Sequence, residues 1–391
     1  MVRTADQHPK AQDHPRNALL ALVEEGQSVW LDFITRELIR KGQLQRLIDE
    51  DGLRGMTSNP TIFQKAIAGS DDYDAQLAQL AGQGKDAGQI FEALAVTDIQ
   101  DACDRFRPVY DRTNGGDGFV SIEVAPGLAH DTAGTVAEAR RLWKEVNRPN
   151  VMVKVPGTAE GWPAVEQLIG EGLNINITLL FSLQNHEQVM WRYIAGLEKR
   201  AAAGQPLDRI ASVASYFVSR VDTLVDKQLE QRIATASGAE AEQLRGLLGQ
   251  AAIANAKLAY RNYQRVFGDE RFLALKAKGA RVQRCLWAST STKNPAYSDV
   301  LYVDQLIGPD TINTLPLATI DAFKDHGTVA RTLEQGVDEA SATLDALAGA
   351  GVDYDAVTKQ LEDEGVAAFA KSFDELLAGV EQKRKELHDG R

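Results

Sequence analysis

A lysine interrupts an apolar segment of this sequence, and lysine is a residue suited to covalent chemistry. Lys154 stands in Val151-Met152-Val153-Lys154-Val155-Pro156, whose composition is typical of a buried β-strand. A lysine on an exposed strand can also protect the edge of a sheet, without any chemical role. In a closed barrel no strand is an edge, and burial favours the neutral amine that attacks a carbonyl carbon. Lys154 is therefore a candidate Schiff-base nucleophile.

Polar residues also interrupt or end other apolar segments. Within Asn174–Phe181, the polar residues Asn174, Asn176 and Thr178 alternate with apolar ones. The alternation is typical of a half-exposed antiparallel strand, but in a parallel barrel it predicts a polar face directed inward. The candidates on other segments are Asp32, Thr57, Asn59, Glu123, Ser215 and Ser289.

Several of these polar candidates also have ordinary structural explanations. Asp32 and Asn59 each fit a helix cap or a turn position. Either serine, taken alone, fits simple packing. Glu123 is harder to explain in this way, because isoleucine and valine flank it.

Eight short apolar segments are candidate strands, and helical patterns follow most of them. They are Val29–Ile34, Gly55–Asn59, Phe119–Val124, Val151–Val155, Asn174–Phe181, Ile210–Phe217, Arg284–Ser289 and Thr311–Leu315. Alternation of strands and helices indicates an α/β fold with a parallel sheet. Eight units favour a closed (β/α)8 TIM barrel with additional outer helices. A doubly wound sheet is the alternative, although no glycine-rich turn follows the first strand.

The helical patterns predict both barrel helices and additions to the barrel. The predicted helices are Thr35–Glu50, Thr132–Val146, Ala159–Glu171, Ser182–Lys199 and one opened by Asn59-Pro60, with Ser58 and Asn59 as capping candidates. Helical insertions are expected near 65–107 and 222–278, and a helical tail over Ser341–Ala348 and Tyr354–Leu387. We expect a disordered segment over 1–16 and a single barrel domain over 17–391.

Composition restricts the classes of partner and cofactor. The net charge of −12 over 391 residues disfavours binding to nucleic acid. There is no apolar run of about 18 residues and no apolar core of a signal peptide, so no membrane partner is expected. Cys103 and Cys285 are far apart in sequence, which favours reduced thiols and a cytoplasmic location. The six histidines are scattered along the chain, so no metal site is expected. The sequence has no phosphate-loop motif, so no nucleotide cofactor is expected.

The segments that carry the polar candidates resemble those of transaldolases. They are Ser28–Asp32, Thr57–Pro60, Ser121–Val124, Val153–Thr158, Asn174–Leu179 and Ser215–Arg220, followed by Trp287–Ser289. Six motifs in the family's order are hard to match by chance. The length of the chain and its extra helices are similar to those of the longer bacterial transaldolases.

The resemblance implies an enzyme of the pentose phosphate pathway whose partners are phosphorylated sugars. It would transfer a dihydroxyacetone unit from sedoheptulose 7-phosphate or fructose 6-phosphate to glyceraldehyde 3-phosphate or erythrose 4-phosphate. The resemblance implies that Lys154 forms the imine, that Asp32 is the base at the C4 hydroxyl, and that Glu123 acts through a water near Thr178. The implied substrate-binding residues are Thr57, Asn59, Asn176, Ser215, Phe217, Ser289 and Arg220, with Arg220 at the phosphate.

One position departs from the family pattern. Many relatives have a second phosphate-binding arginine two residues after Ser289, where this chain has Ser291. Lys293 can supply the charge instead, although an ammonium group is a point charge and not a bidentate fork. Alternatively, Lys293 lies in a solvated loop and has no part in binding.

Other functions remain as alternatives to transfer. A fructose 6-phosphate aldolase of the same superfamily would release free dihydroxyacetone without needing an acceptor sugar. A non-catalytic sugar-phosphate-binding barrel would not need the set of Lys154, Asp32 and Glu123. A phosphosugar isomerase domain, fused to some relatives, is not expected within this length. The protein is expected to be a monomer or a homodimer.

Overall fold

A barrel of eight parallel strands forms the centre of the molecule in the computed structural model, which describes residues 17–389 and side chains up to 387. The strands are β1 (Gln27–Leu31), β2 (Gly55–Met56), β3 (Phe119–Glu123), β4 (Val151–Pro156), β5 (Ile175–Leu180), β6 (Ser212–Phe217), β7 (Gln283–Ala288) and β8 (Thr311–Leu315). They pair in sequence order, and β8 closes the barrel against β1. The predicted TIM barrel is confirmed, and the doubly wound alternative is wrong.

Helices follow the strands and extend the barrel. Those after β1 to β4 are α2 (Arg36–Arg40), α3 (Gln43–Glu50), α4 (Pro60–Ala68), α5 (Asp74–Gly82), α6 (Ala87–Arg112), α7 (Thr132–Val146) and α8 (Gly161–Glu171), and α1 (Ala18–Glu24) precedes the barrel. Those after β5 to β8 are α9 (Leu183–Ala202), α10 (Ser219–Ile233), α11 (Gly238–Gly246), α12 (Ala251–Phe267), α13 (Glu270–Lys276), α14 (Leu301–Gln305) and α15 (Leu317–His326). The tail forms α16 (Val337–Gly349) and α17 (Tyr354–Asp389).

The predicted elements are largely present, with one clear error among the helices. Thr35–Glu50 was predicted as one helix, but it is divided into α2 and α3. Gly42 lies between them with φ of +84°, a left-handed conformation that glycine adopts without a steric penalty and that ends a helix. The predicted disorder of residues 1–16 lies outside the described residues.

The barrel brings polar side chains of neighbouring strands into one interior layer. In the register of the sheet, Lys154 of β4 lies opposite Glu123 of β3 and opposite Asn176 of β5. Residues one position away along β5, Ile175 and Ile177, are fully buried and lie on the opposite face, toward the surrounding helices. The alternation in β5 therefore separates an apolar outer face from a polar inner one, as predicted.

A buried ion pair joins the end of β1 to the insertion that follows β2. Arg36 Nε donates to Asp98 Oδ1 at 2.9 Å, and the Tyr73 hydroxyl donates to Asp98 Oδ2 at 2.9 Å. The side chains of Arg36 and Asp98 are 3% and 0% exposed. Burial raises the pKa of Asp98, and Arg36 opposes the rise. These buried polar contacts connect α2 to α6.

We expect Asp98→Asn to destabilise the protein strongly, because it leaves the Arg36 charge buried without a carboxylate. Removing one partner of a buried pair costs about 3 to 5 kcal/mol. Asp101→Asn is the matched control, since its pair with Arg40 is solvent-exposed at 3.3 Å and such pairs contribute about 0 to 1 kcal/mol. Urea unfolding of both variants measures the difference. Equal losses would show that the buried pair is not important for stability.

Candidate active site

A cavity of about 230 Å³ opens at the carboxyl ends of the strands. Parallel strands all end at this face, so residues distant in sequence converge there. Ten predicted site residues line the cavity, namely Asp32, Thr57, Asn59, Lys154, Thr178, Ser215, Phe217, Arg220, Ser289 and Lys293. The other two, Glu123 and Asn176, lie beside Lys154 in the neighbouring strands. The structure thus brings all twelve predicted residues together.

Lys154 lies inside the barrel with its amine held in place. It is 5% exposed, and its Nζ donates to the carbonyl oxygen of Ser58 at 3.0 Å. Glu123 Oε2 lies 3.7 Å from the same Nζ. Because the barrel is closed, the interpretation of Lys154 as an edge-protecting lysine is wrong. The geometry presents a buried amine, next to a carboxyl group, at the floor of a cavity.

Glu123 is buried and its protonation is sensitive to pH near neutrality. Burial raises its pKa to about 7, although the charge of Lys154 works against the rise. Its Oε2 and Thr178 Oγ1 are both buried without a hydrogen-bond partner among the described residues. Buried polar atoms are normally hydrogen-bonded. Two such atoms, on the strands that flank β4, are therefore positions where a small polar molecule would complete the hydrogen bonding.

Asp32 lines the same cavity as Lys154 and is oriented by two threonines. The Thr57 hydroxyl donates to Asp32 Oδ1 at 2.7 Å, and the Thr314 hydroxyl lies 2.7 Å from that of Thr57. Burial raises the pKa of Asp32, and the charge of Lys154 opposes the rise. Asp32 does not cap α2, because Thr35 accepts the capping hydrogen bond from the Leu38 amide. The capping interpretation of Asp32 is therefore wrong.

Asn59 and Asn176 have different positions in the site, since Asn59 lines the cavity and Asn176 does not. Asn59 caps α4 by accepting from the Ile62 amide at 2.9 Å, which confirms the capping interpretation. It also lines the cavity, and substrate binding by Asn59 stays a prediction. Asn176 is fully buried. It donates to Ser121 Oγ at 3.0 Å and accepts from Ser215 Oγ at 2.7 Å. Asn176 is thus positioned to hold Ser215, which itself lines the cavity.

Two cationic side chains occupy one end of the cavity. Arg220 lies in the first turn of α10, with its guanidinium 5.4 Å from the centre of the Phe217 ring. Lys293 also lines the cavity, and its Nζ donates to Ser291 Oγ at 2.6 Å. Burial lowers the pKa of Lys293, and the nearby charge of Arg220 lowers it further. Lys293 is itself exposed and Ser291 accepts a hydrogen bond from its amine, so phosphate binding by Lys293 stays a prediction.

Backbone strain occurs at two strand ends beside the cavity. Leu179, directly after Thr178, has φ of +60°, and Ser289, directly after β7, has φ of +55°. The register between β5 and β6 shifts at this point, between Ile177 and Leu180. Such conformations cost roughly 1 to 3 kcal/mol each in non-glycine residues and cluster at functional sites. Both strained residues lie beside or within the cavity lining, since Thr178 and Ser289 line it.

Several residues that line the cavity were not predicted from the sequence as site residues. They are Ala288, Thr290, Ser291, Thr314, Pro316 and Phe369. Thr314 could have been found, since it is a polar residue near the carboxyl end of the eighth strand. Nothing in the sequence indicated that Phe369 is a site residue, because an apolar residue in an amphipathic helix is explained by packing alone. Its helix, α17, was expected outside the barrel, but it places Phe369 at the cavity.

Some features of other protein classes are not found in the described residues. Between residues 17 and 387, no group of three or more His, Cys, Asp and Glu side chains is arranged to hold a metal ion. In that part of the chain, no helix is long and apolar enough to cross a bilayer. Cys103 and Cys285 are both buried and unbonded to each other.

Comparison with known proteins identifies the family. The family model described as transaldolase/fructose-6-phosphate aldolase matches residues 29–380. A protein named transaldolase from Thiobacillus denitrificans is 52% identical over 91% of this chain and 97% of its own. A transaldolase of Acidothermus cellulolyticus is 50% identical over 93% and 95%, and transaldolase 2 of a Nostoc species is 48% identical over 95% and 98%. The chain therefore belongs to the transaldolase/fructose-6-phosphate aldolase family.

Proposed function

We propose that this cavity transfers a dihydroxyacetone unit between phosphorylated sugars through a Schiff base on Lys154. The observation that carries the proposal is the buried Lys154 amine, 3.7 Å from Glu123 and in one cavity with Asp32. The donors proposed are sedoheptulose 7-phosphate and fructose 6-phosphate. The acceptors proposed are glyceraldehyde 3-phosphate and erythrose 4-phosphate.

In the first step, the neutral Lys154 amine attacks the C2 carbonyl of the ketose and forms a carbinolamine. Loss of water from the carbinolamine requires a proton donor. Glu123 suits this task, because its pKa of about 7 keeps a substantial part of it protonated at neutral pH. A water held between Glu123 Oε2 and Thr178 Oγ1 would carry the proton. The two unpartnered buried oxygens support this proposal.

In the second step, the ionised Asp32 takes the proton of the C4 hydroxyl. The C3–C4 bond then breaks, the aldose phosphate leaves, and the bonding electrons pass into the protonated imine to form an enamine. The Thr57 hydroxyl, 2.7 Å from Asp32 Oδ1, orients the carboxylate for this transfer. The positive imine on Lys154 favours the ionised form of Asp32, against the effect of burial. Addition of a second aldose phosphate reverses the step.

The remaining residues hold the two ends of the sugar. Asn59 and Ser215 are proposed to bind hydroxyls of the dihydroxyacetone unit, with Asn176 positioning Ser215 through their 2.7 Å hydrogen bond. The cations Arg220 and Lys293 are proposed to bind the phosphate. Amides at the start of α10 would add to this site, since helix amino termini attract anions.

The alternative function within the family is that of an aldolase. The test is whether cleavage of fructose 6-phosphate depends on an acceptor. With erythrose 4-phosphate present, we expect continuous formation of sedoheptulose 7-phosphate and glyceraldehyde 3-phosphate. Without it, release of glyceraldehyde 3-phosphate should stop after about one equivalent per active site, because the enamine has no partner. Continuous release of free dihydroxyacetone at a similar rate would establish the aldolase activity instead.

We also propose a reducing, cytoplasmic environment for the enzyme. Cys103 and Cys285 are free and buried, and burial raises the pKa of both thiols. Thiols in this state are unreactive and do not form disulfides readily. This arrangement fits a protein that does not depend on oxidised cysteines for its stability.

A further inference from the structure

The long tail helix α17 lies across the carboxyl end of the barrel. Near its start, Asn185 of α9 donates to Glu362 Oε2 at 2.6 Å. Near its end, Lys383 Nζ lies 2.9 Å from Asp74 Oδ1 of α5. The two anchors follow β5 and β2, which are three positions apart around the eight-stranded barrel. The part of α17 between the anchors therefore spans the cavity.

One face of α17 is directed toward the barrel. Glu362, Gly365, Phe369, Ser372 and Leu376 follow one another at alternating intervals of three and four residues, which places them on one helix face. Ser372 accepts a hydrogen bond from Thr61 at 2.8 Å. A Cβ added to Gly365 would lie 2.9 Å from Leu179 Cδ2, so the glycine allows close approach to the end of β5. This contact determines how closely α17 approaches the carboxyl end of β5.

Phe369 lies at the centre of that face and forms part of the cavity wall. Among the described residues that line the cavity, it is the one that comes from neither a barrel strand nor the segment that follows a strand. Its side chain is buried, at 5% exposure. Together with Phe217, Ala288 and Pro316 it contributes apolar surface to the cavity that also contains Lys154 and Asp32.

An apolar wall matters for the enamine intermediate. Release of the three-carbon unit begins when the enamine carbon forms a C–H bond with a proton from water. The hydroxide left behind then adds to the iminium carbon, its proton passes to the nitrogen as the C–N bond breaks, and dihydroxyacetone leaves with the Lys154 amine regenerated. Transfer instead requires a C–C bond to an incoming aldehyde. Exclusion of water from a closed site suppresses such proton leakage and hydrolysis.

We propose that Phe369 excludes water from the enamine, and so determines that the dihydroxyacetone unit is transferred and not released. The inference rests on the proposed transfer reaction. It assigns to the tail helix a function in partitioning the intermediate, in addition to its packing. Phe369 acts here by occupying space in the cavity and takes no proton itself.

The test measures the partition ratio, which is acceptor-free release of dihydroxyacetone divided by transfer to erythrose 4-phosphate, with fructose 6-phosphate as donor. In Phe369→Ala we expect the ratio to rise roughly tenfold or more, equivalent to about 1.4 kcal/mol of differential barrier. In D2O, the dihydroxyacetone released should carry one deuterium on the former enamine carbon. Phe369→Leu should give a smaller rise, because leucine refills part of the space.

Phe373→Ala is the matched control on the same helix. Phe373 lies one turn further on and packs edge-to-face on Phe91, with ring centroids 5.7 Å apart. It does not line the catalytic cavity, and it faces an adjoining apolar cavity whose wall includes Asn59 and Glu123. This variant removes the same side chain from the same helix, so it should leave the partition ratio unchanged even if it lowers stability.

The possible outcomes distinguish failure of the role proposed for Phe369 from failure of the proposed transfer function. An unchanged ratio in Phe369→Ala, with transfer by the wild type intact, overturns the role of Phe369 alone. A rise of equal size in Phe373→Ala also overturns it, because loosening of the helix would then be the cause. If Phe369→Ala does not fold, the ratio in Phe369→Leu decides. Absence of transfer by the wild type would instead contradict the proposed function.

Discussion

Replacement of Lys154 by alanine is expected to abolish turnover of fructose 6-phosphate with erythrose 4-phosphate. The expected fall in kcat is roughly 10⁴-fold or more, since no other group supplies covalent catalysis. Borohydride reduction in the presence of fructose 6-phosphate should add a reduced three-carbon unit to the wild-type peptide that contains Lys154. Peptide mass mapping of the variant should show no such addition.

Lys257→Ala is the matched control for this prediction. Lys257 is also largely buried, at 8% exposure, but its Nζ donates to the carbonyl oxygen of Gln335 at 2.7 Å and it does not line the catalytic cavity. The control should retain both turnover and the adduct on Lys154. An adduct that persists on another lysine in Lys154→Ala would contradict the proposed mechanism.

The barrel could be predicted because each strand is a short apolar segment followed by a helical pattern. Thr311–Leu315 was predicted with its observed bounds, while Gly55–Asn59 shortened to Gly55–Met56. Closure of the barrel also excludes an edge-protecting role for Lys154, since a closed sheet has no edge to protect. Local composition and alternation were sufficient for these conclusions.

The errors arose where three-dimensional contacts or backbone conformation decide the structure. The separation of α2 from α3 depends on the left-handed conformation of Gly42, and a glycine in a helical pattern is a weak signal on its own. The position of α17 depends on contacts between residues far apart in sequence, such as Thr61 with Ser372. Periodicity shows that a helix has an apolar face but not which surface that face covers.

The sequence also could not show which site residues line the cavity and which lie in the buried layer of the barrel. Asn176 and Ser215 were both predicted to bind substrate, yet Asn176 lies in the buried layer and holds Ser215 by a hydrogen bond. Lys293 could equally have belonged to a solvated loop. The structure places it with Arg220 at the cavity, where two positive charges favour an anionic ligand.

The second large effect is expected from Glu123→Gln, which removes the proposed proton donor at imine formation. General acid–base catalysis contributes about 10²- to 10⁴-fold, and we expect a loss of kcat in this range. Dehydration of the carbinolamine needs the protonated carboxyl. Because burial raises the pKa of Glu123 to about 7, the wild-type rate of imine formation should fall as pH increases through that value. Glutamine does not titrate, so this decline should disappear in the variant.

The measurement is single-turnover imine formation, trapped by cyanoborohydride, from about pH 6 to 8, where Glu123 changes its charge. Asp32→Asn is the comparison, because Asp32 acts only after the imine exists. It should trap imine at nearly the wild-type rate while steady-state turnover collapses. If both variants lost imine formation equally, the division of tasks between the two carboxylates would be wrong.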